Sequence, residues 1–493
     1  MSNPGRPHGD SIERRVQGDL PSTDAETAAA RIASDATVLT SGFGSVGYPK
    51  AIPLALANSD RDLRLTLVSS GNVGDEIDVD LVESGAISRR FSYQSSSVAR
   101  RATNRRDIAF SDRNASSIGD EVQYGGMVDP DVAIVEAVAV GEGWFVPSTS
   151  VGQVPAFVEA ADELFIELNH QHPLGLQSVH DIYRPDSPPN RTPIPLTDPG
   201  GRIGTSYVQF APEKLVGVVE TDRADSTYTF RDPTDDDLAI AANLRSFLSD
   251  EMERSPVFDD AIHLQFGVGS LGNALMGELR ALDFGDRDVV YYGELIQDGL
   301  LDMLDSGRLA SASATSMALT ADGQRRLFED IERYAEDIVL RPADVANHPG
   351  LIDQFGVVGV NSAIEFDIYG NVNSTHIRGK RMVNGIGGSA DYNRNALLSI
   401  CALPSALDDG ETSRVVPMTF HVDHTEHDID VFVTEQGVAD VRGCSPVERA
   451  ERIIEHCAHP SFKSDLQSYL DDVKAQSNHI PHDVARAAEW YES

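Results

Sequence analysis

Two short glycine turns carry the most suggestive spacing in the sequence. Gly42-Phe43-Gly44-Ser45-Val46-Gly47 follows the apolar run Thr37–Thr40, and Gly267-Val268-Gly269-Ser270-Leu271-Gly272 follows Ala261–Phe266. The spacing G-x-G-x-x-G between a strand and a helix lets backbone approach an anion, and the helix N-terminus aims N–H groups at it. Three uses fit: a dinucleotide site, a plain tight turn, or an acyl-CoA or oxyanion site. Glu294 lies 22 residues beyond Gly272 at a strand end, where the ribose-binding acid of a dinucleotide site belongs. Its frame, Tyr292-Gly293-Glu294 followed by Gln297-Asp298-Gly299, has elements that a ribose acid does not need. His421, His424 and His427, with Asp423 and Asp428, resemble a metal set on paper. On a strand, however, residues three apart face opposite ways, and Val431–Val433 marks a strand, so no metal is expected. Cys401, between Ile400 and Ala402, reads as a buried thiol.

The elements that would hold these residues repeat. Ser22-Thr23-Asp24 offers caps for a helix over 25–32. The run 37–40 is followed by the first glycine turn, a helix from Pro49 to Ala57 and a strand over 63–68. About 225 residues later come a strand at 261–266, the second turn, a helix over 273–282 and a strand at 288–292. Leu81–Gly85 is echoed by Met303–Gly307 in the same order. The pattern predicts an internal duplication: two tandem α/β domains with mostly parallel sheets, 1–228 and 229–493. The first twenty residues read as a mobile arm or docking strap, and 183–204, rich in proline, as a surface loop. The linker falls near 222–235, before a helix over 236–252. Strands are expected at 207–221, 357–369 and 415–420, and closing helices at 446–457 and 461–477.

Several blocks together resemble one family. They are Ser41-Gly42-Phe43; the Glu294 frame through Leu301-Asp302; Asn371-Val372-Asn373-Ser374-Thr375-His376; Asn384-Gly385-Ile386-Gly387-Gly388 through Asp391-Tyr392; Thr434-Glu435-Gln436-Gly437 through Asp440; and Ala458-His459-Pro460. In this order they resemble the acetyl-CoA hydrolase/transferase family of the class I CoA-transferases, from about residue 25 to the C-terminus. The resemblance implies a CoA-transferase-like open α/β fold and makes Glu294 the nucleophile. It implies an oxyanion donor at Gly388, with Leu271 as the matching turn residue, and places Glu435 and Asn347 near the nucleophile. Gly267, Val268, Gly269, Ser270, Leu271, Ile364, Asn384 and Gly388 would line the path of CoA. Coenzyme A and acyl-CoA are then substrates, small carboxylates the acceptors, no cofactor is permanently bound, and the chain is a homodimer. One departure stands out. Asp408-Asp409 occupies a position where related sequences often carry a lysine, leaving Arg378, Lys380 and Arg381 as replacements for a phosphate contact. An NAD-dependent oxidoreductase and a non-catalytic CoA-binding protein are the competing readings.

Composition narrows the setting. The formal net charge is −38, and the 40 basic residues comprise 5 lysines and 35 arginines. Such self-repulsion is tolerable where salt shortens the Debye length to about 3 Å near 1 M, so a halophile's cytoplasm is expected. With no basic patch to neutralise phosphates, nucleic acid is not expected as a partner. No run approaches about 18 apolar residues, which predicts no membrane span. The polar segment from Met1 to Val16 lacks the apolar core of a secretory signal, and the three cysteines fit a reducing cytoplasm.

Overall fold

The stretch 132–141 is buried at every position, the pattern of a central strand covered on both faces. One of its buried residues is Glu136, whose carboxylate is met by side chains from several elements of the first unit. The structure, a computed structural model, describes residues 12–407 and 410–491. Asp408 and Asp409 lie outside the described residues, so the expected phosphate departure is not addressed there.

The first sheet contains β1 (Thr37–Thr40), β2 (Leu65–Ser69), β3 (Ile87–Phe91), β4 (Ala109–Ser111), β5 (Val132–Gly141), β6 (Trp144–Pro147), β7 (Glu163–Asn169), β8 (Val208–Gln209) and β9 (Leu215–Thr221). Its parallel body runs β4-β3-β2-β1-β5-β7-β9, with β6 and β8 antiparallel at the far end of β5. Further along the chain come β10 (Ala261–Phe266), β11 (Asp288–Tyr292), β12 (Leu295–Ile296), β13 (Ser311–Ala314), β14 (Ser316–Met317), β15 (Ile338–Leu340), β16 (Val358–Asn361), β17 (Leu398–Ala402), β18 (Val431–Thr434) and β19 (Gly437–Asp440). The second sheet runs β15-β13-β11-β10-β16-β17-β18-β19, while β12 and β14 form a separate parallel pair. Strand for strand, the first seven positions match the parallel body of the first sheet. Gly85 and Gly307, the ends of the echoed motif, both take left-handed φ, +77° and +66°. The duplication expected from the sequence is thus an identity of topology.

Contacts divide the chain into two compact units. The first comprises 1–229, 291–304 and 310–351; the second comprises 230–290, 305–309 and 352–493. The sequence division placed everything after 228 in the second domain. By contacts, the segment with Glu294 belongs to the first unit, because its backbone bonds to 313–318 of that unit.

Some elements differ from expectation. The strand expected over 357–369 is broken into β16 and Glu365–Asp367, where Asp367 accepts from the N–H groups of Tyr369 and Asn371 and turns the chain back. The strand expected at 415–420 stops at Val416, because Pro417 supplies no N–H to the ladder. The histidine segment 421–428 is irregular, not a strand. Its histidines still diverge: His421 pairs with Asp423, His424 is buried, and His427 is exposed. The helix expected from Asn273 begins at Ser270, so Gly272 lies in its first turn. Of the first twenty residues, expected as a mobile arm or docking strap, 1–11 lie outside the described residues, and the rest strap onto the first sheet: Gln17 N–H bonds to Val140 O and Val140 N–H to Arg15 O.

The carboxylate within β5 meets a buried ammonium. Lys50 Nζ lies 2.5 Å from Glu136 Oε2, 2.8 Å from Asp225 Oδ1 and 2.8 Å from Tyr48 O, so three acceptors meet its three protons. Ser148 Oγ and Asn169 Nδ2 complete Glu136, and His172 Nε2 lies 3.3 Å from Glu136 and 3.4 Å from Asp225. Burial works to raise the Glu136 carboxyl, but Lys50 and His172 outweigh it and hold it at about 2. Burial works against the His172 imidazolium, yet Asp225 and Glu136 raise its pKa above the usual value. The two signs bracket a window. Glu136 contributes stability above its unfolded value of 4.5, lost as pH falls towards 2. His172 contributes stability below 6.5, lost as pH rises through its raised value. Urea-unfolding midpoints are therefore expected to peak between 4.5 and 6.5. The alkaline decline should flatten in His172→Gln; an equal decline in that variant would show that another group causes it.

Candidate active site

Glu294 stands at a break between two pieces of strand. Val289–Tyr292 of β11 are apolar or aromatic and buried, and Gly293 follows where a Cβ would lie 2.3 Å from Tyr291 Oη. Only glycine fits that position without moving the ring. The backbone then pairs on both sides of the break. Gly293 N–H donates to Ser313 O at 2.9 Å, and Glu294 O accepts from Thr315 and Ser316 N–H at 3.0 and 3.1 Å. Asp298 accepts from Thr320 N–H and Oγ1, which fixes the start of the helix Asp298–Asp305. Asp298 is thus a structural anchor at the start of that helix. The Glu294 side chain is half-buried.

Its partner comes from 53 residues further on. Asn347, fully buried, donates from Nδ2 to Glu294 Oε1 at 2.8 Å. Asn347 caps the short helix Ala343–Ala346, and Tyr292 Oη ties that helix to β11 by donating to Val345 O at 2.6 Å. Just upstream, Arg341 is wholly buried. It donates to Ser313 Oγ and Pro199 O at 2.7 and 2.8 Å, and also to Asp181 and Gly201 O. Arg341 therefore anchors the 183–204 segment, which is only partly the surface loop expected: Leu196 is buried.

The remaining expected site residues lie in the second unit. Gly267 N–H bonds to Val360 O, Val268 is exposed, and Gly269 has φ +139°, where a Cβ would meet nothing within 4 Å. Ser270 and Leu271 open the helix Ser270–Leu279. Gly388 caps the helix Ser389–Asn395, and its N–H has no partner among the described residues. Ile364 is half-buried, and its carbonyl accepts from the Arg414 guanidinium at 2.7 Å. Asn384 keeps a buried Oδ1 with no hydrogen-bond partner. Glu435 is oriented by Ser405, whose N–H donates at 2.7 Å and whose hydroxyl donates as well. The structure thus pairs Glu294 with Asn347 and, separately, Glu435 with Ser405. Burial pushes the Cys401 thiol up to about 12, so it is inert, as expected.

The first glycine turn does not match the second. After Gly47 no helix begins until Ala51, and Glu167 of β7 already accepts from the N–H groups of Lys50, Ala51 and Ile52 at 2.7, 2.9 and 2.6 Å. Glu167 thus already occupies the N–H groups at this helix start, which fits the plain tight turn among the three uses. Among the described residues, the one acid–histidine group tight enough for a metal is Glu136, His172 and Asp225, and the Lys50 ammonium already sits against both carboxylates. Asp225, Arg341 and Tyr292 are supports that sequence reasoning missed. The one available signal was Arg341, a charge directly after the apolar run Ile338–Leu340.

Known proteins resemble the chain along nearly its whole length. The profile for the acetyl-CoA hydrolase/transferase N-terminal domain matches residues 13–220, and that for the C-terminal domain matches residues 323–470. The chain belongs to the acetyl-CoA hydrolase/transferase family. It is 40% identical over 473 residues to a succinyl-CoA:acetate CoA-transferase of Clostridium kluyveri, covering 95% of this chain and 88% of that protein. It is 38% identical to an acetyl-CoA hydrolase of Schizosaccharomyces pombe, covering 91% and 89%. The fold is similar to that of RipA from Yersinia pestis, with a TM-score of 0.72 at 21% identity over 92% of this chain and 98% of that one. The chain is accordingly an enzyme of this family, and the dinucleotide reading of its glycine turns is set aside. The support beneath Asn347 can be tested directly. Tyr292→Phe strips Val345 O of its buried donor and is expected to lower the unfolding free energy by about 1–3 kcal/mol in urea titrations. An unchanged midpoint would refute the role given to that bond.

Proposed function

We propose that the protein moves coenzyme A between a short-chain acyl-CoA and a carboxylic acid through Glu294, with hydrolysis when water takes the acceptor's place. The observation that carries this is the half-buried Glu294 carboxylate held at 2.8 Å by the Asn347 amide. A hydrogen bond from the Asn347 amide orients the carboxylate, which suits a nucleophile. One carboxylate oxygen attacks the thioester carbonyl, the C–S bond breaks, and CoA leaves as thiolate with a mixed anhydride behind it. The thiolate then attacks the glutamyl carbonyl, expels the first carboxylate and leaves a glutamyl-CoA thioester. A second carboxylate reverses these steps and departs as its CoA ester. Each tetrahedral oxyanion needs a donor, and the unpartnered Gly388 N–H is the group we assign to it. Glu435, aligned by Ser405, is assigned to the carboxylate acceptor's surroundings.

Gly267–Leu271, Ile364 and Asn384 are assigned to the CoA path. The open space at Gly269 and the unmet Asn384 Oδ1 support that assignment. For the CoA phosphates we assign Arg378, Lys380 and Arg381, exposed on the hairpin His376–Ile377/Arg381–Met382, none of which makes an ion pair among the described residues. We further propose a homodimer working in a salt-rich cytoplasm. The charge of −38 supports the salt, and no helix among the described residues is long and apolar enough to cross a membrane.

Mixing the protein with acetyl-CoA and no acceptor should add one CoA less one water, mapped to the Glu294 peptide by mass spectrometry. No adduct in wild type, or an equal one in Glu294→Ala, would sink the mechanism. Acetate, succinate and propionate, added in turn, then separate transfer from hydrolysis. Replacing all three hairpin cations by glutamine should raise KM for acyl-CoA about tenfold at low salt, at roughly 0.5 kcal/mol per surface cation. The same variant should leave KM for the matching acyl-pantetheine, which lacks the nucleotide phosphates, unchanged. Equal effects on both substrates would remove the hairpin from the phosphate site.

A further inference from the structure

The N–H groups that follow the first glycine turn are taken by Glu167, and the backbone of the turn itself is held in a costly shape. Gly42, Gly44, Ser45 and Gly47 take φ of +118°, +68°, +62° and +66°. Ser45 at a left-handed φ persists only where its surroundings impose it. The turn is clamped at both ends. At one end both Asp225 oxygens lie 3.2 Å from Gly47 N, Thr149 Oγ1 donates to Asp225 at 2.6 Å, and Lys50 binds Asp225 and Tyr48 O together. At the other end Ser316 Oγ donates to Phe43 O at 2.6 Å, and a Cβ on Gly44 would lie 2.7 Å from Leu295 Cδ2. Ser316 is also one of the two residues whose N–H holds the Glu294 carbonyl, and Leu295 is the next residue in the chain. A second path runs from the same carboxylate. Three residues past Asp225, Tyr228 donates its N–H to Leu319 O and packs with Phe43, Leu295 and Ala318.

We infer that Asp225, itself fixed by Lys50, is a positioning residue for Glu294. It sets the Gly42–Gly47 turn, and that turn sets the backbone from which the Glu294 side chain projects. The inference rests on the nucleophile role proposed for Glu294. It differs from a general contribution to stability, because the charge balance permits removal of Asp225. Without it, Lys50 and Glu136 remain as a one-to-one pair and His172 can stay neutral, so the net charge of the cluster stays balanced although one ammonium proton loses its acceptor.

Asp225→Ala and Ser316→Ala test opposite ends of the clamp. Each is expected to lower kcat about tenfold with KM for acetyl-CoA unchanged within about twofold, because ground-state binding is untouched while the nucleophile is misplaced. Formation of the Glu294 adduct should slow by the same factor, measured under conditions where each variant is fully folded. The double variant should lose no more than the worse single one, since both act through one turn. Unchanged kcat in both single variants, additive losses in the double variant, or a rise in KM matching the fall in kcat would overturn the inference. Should Asp225→Ala fail to fold, Ser316→Ala decides alone, and unchanged kcat in it overturns the inference. The two claims separate cleanly. Wild-type turnover without an adduct defeats the nucleophile role. A wild-type adduct formed at an unaltered rate in the variants defeats the positioning role.

Discussion

Lys50 brings a positive charge into the middle of an apolar parallel sheet, and much of the first unit follows from that. An ammonium taken out of water loses several kcal/mol of solvation unless its protons and charge are met by close partners. Glu136 therefore interrupts an otherwise hydrophobic β5, Asp225 comes in from the segment after β9, and Tyr48 turns its carbonyl inward. Burial pushes the Lys50 pKa down, while the two carboxylates more than offset it. Once that group is in place, the first glycine turn, the start of the helix Ala51–Ala57 and the path of the chain towards Tyr228 have little freedom left.

The same constraint explains why two copies of one motif do different work. Both turns follow a strand at the same position in the same strand order. In the first, Glu167 has taken the helix N–H groups and Asp225 has taken Gly47, so the turn is a closed structural joint. In the second, the helix starts directly after Gly269 and open space surrounds that glycine. A duplicated motif has kept its topology in both copies and its room for a ligand in only one.

The choice of arginine for most of the basic residues has a structural side as well as a solvent side. Arg341 spreads its donors over a serine, a carboxylate and two carbonyls while wholly buried, a task for which a lysine has too few protons and no planar fork. Arg414 does similar work beneath Ile364. Some of the cationic charge is thus committed inside the fold. The exposed surface is left strongly acidic, and a polyanionic substrate must be met by local donors.

The sequence by itself determined the repeating βαβ order, the strands at 37–40, 261–266 and 288–292, and the place of Glu294 at a strand end, framed by Gly293 and the Gln-Asp-Gly that follows. These are local signals: apolar runs, glycine turns and helix starts speak through neighbouring residues, and the family blocks are short. The broken strand at 357–369 was less legible, because apolar content continues past the point where Asp367 turns the chain. Only the tertiary structure decided that Asn347 meets Glu294 across 53 positions, and that Asp225 meets the Gly47 N–H in the first turn. It also decided that the Glu294 segment packs with the first unit, although it lies in the second repeat. The physical reason is common to all three. A hydrogen bond or ion pair between distant residues depends on where folding brings their atoms, and residue types along a chain do not carry that distance.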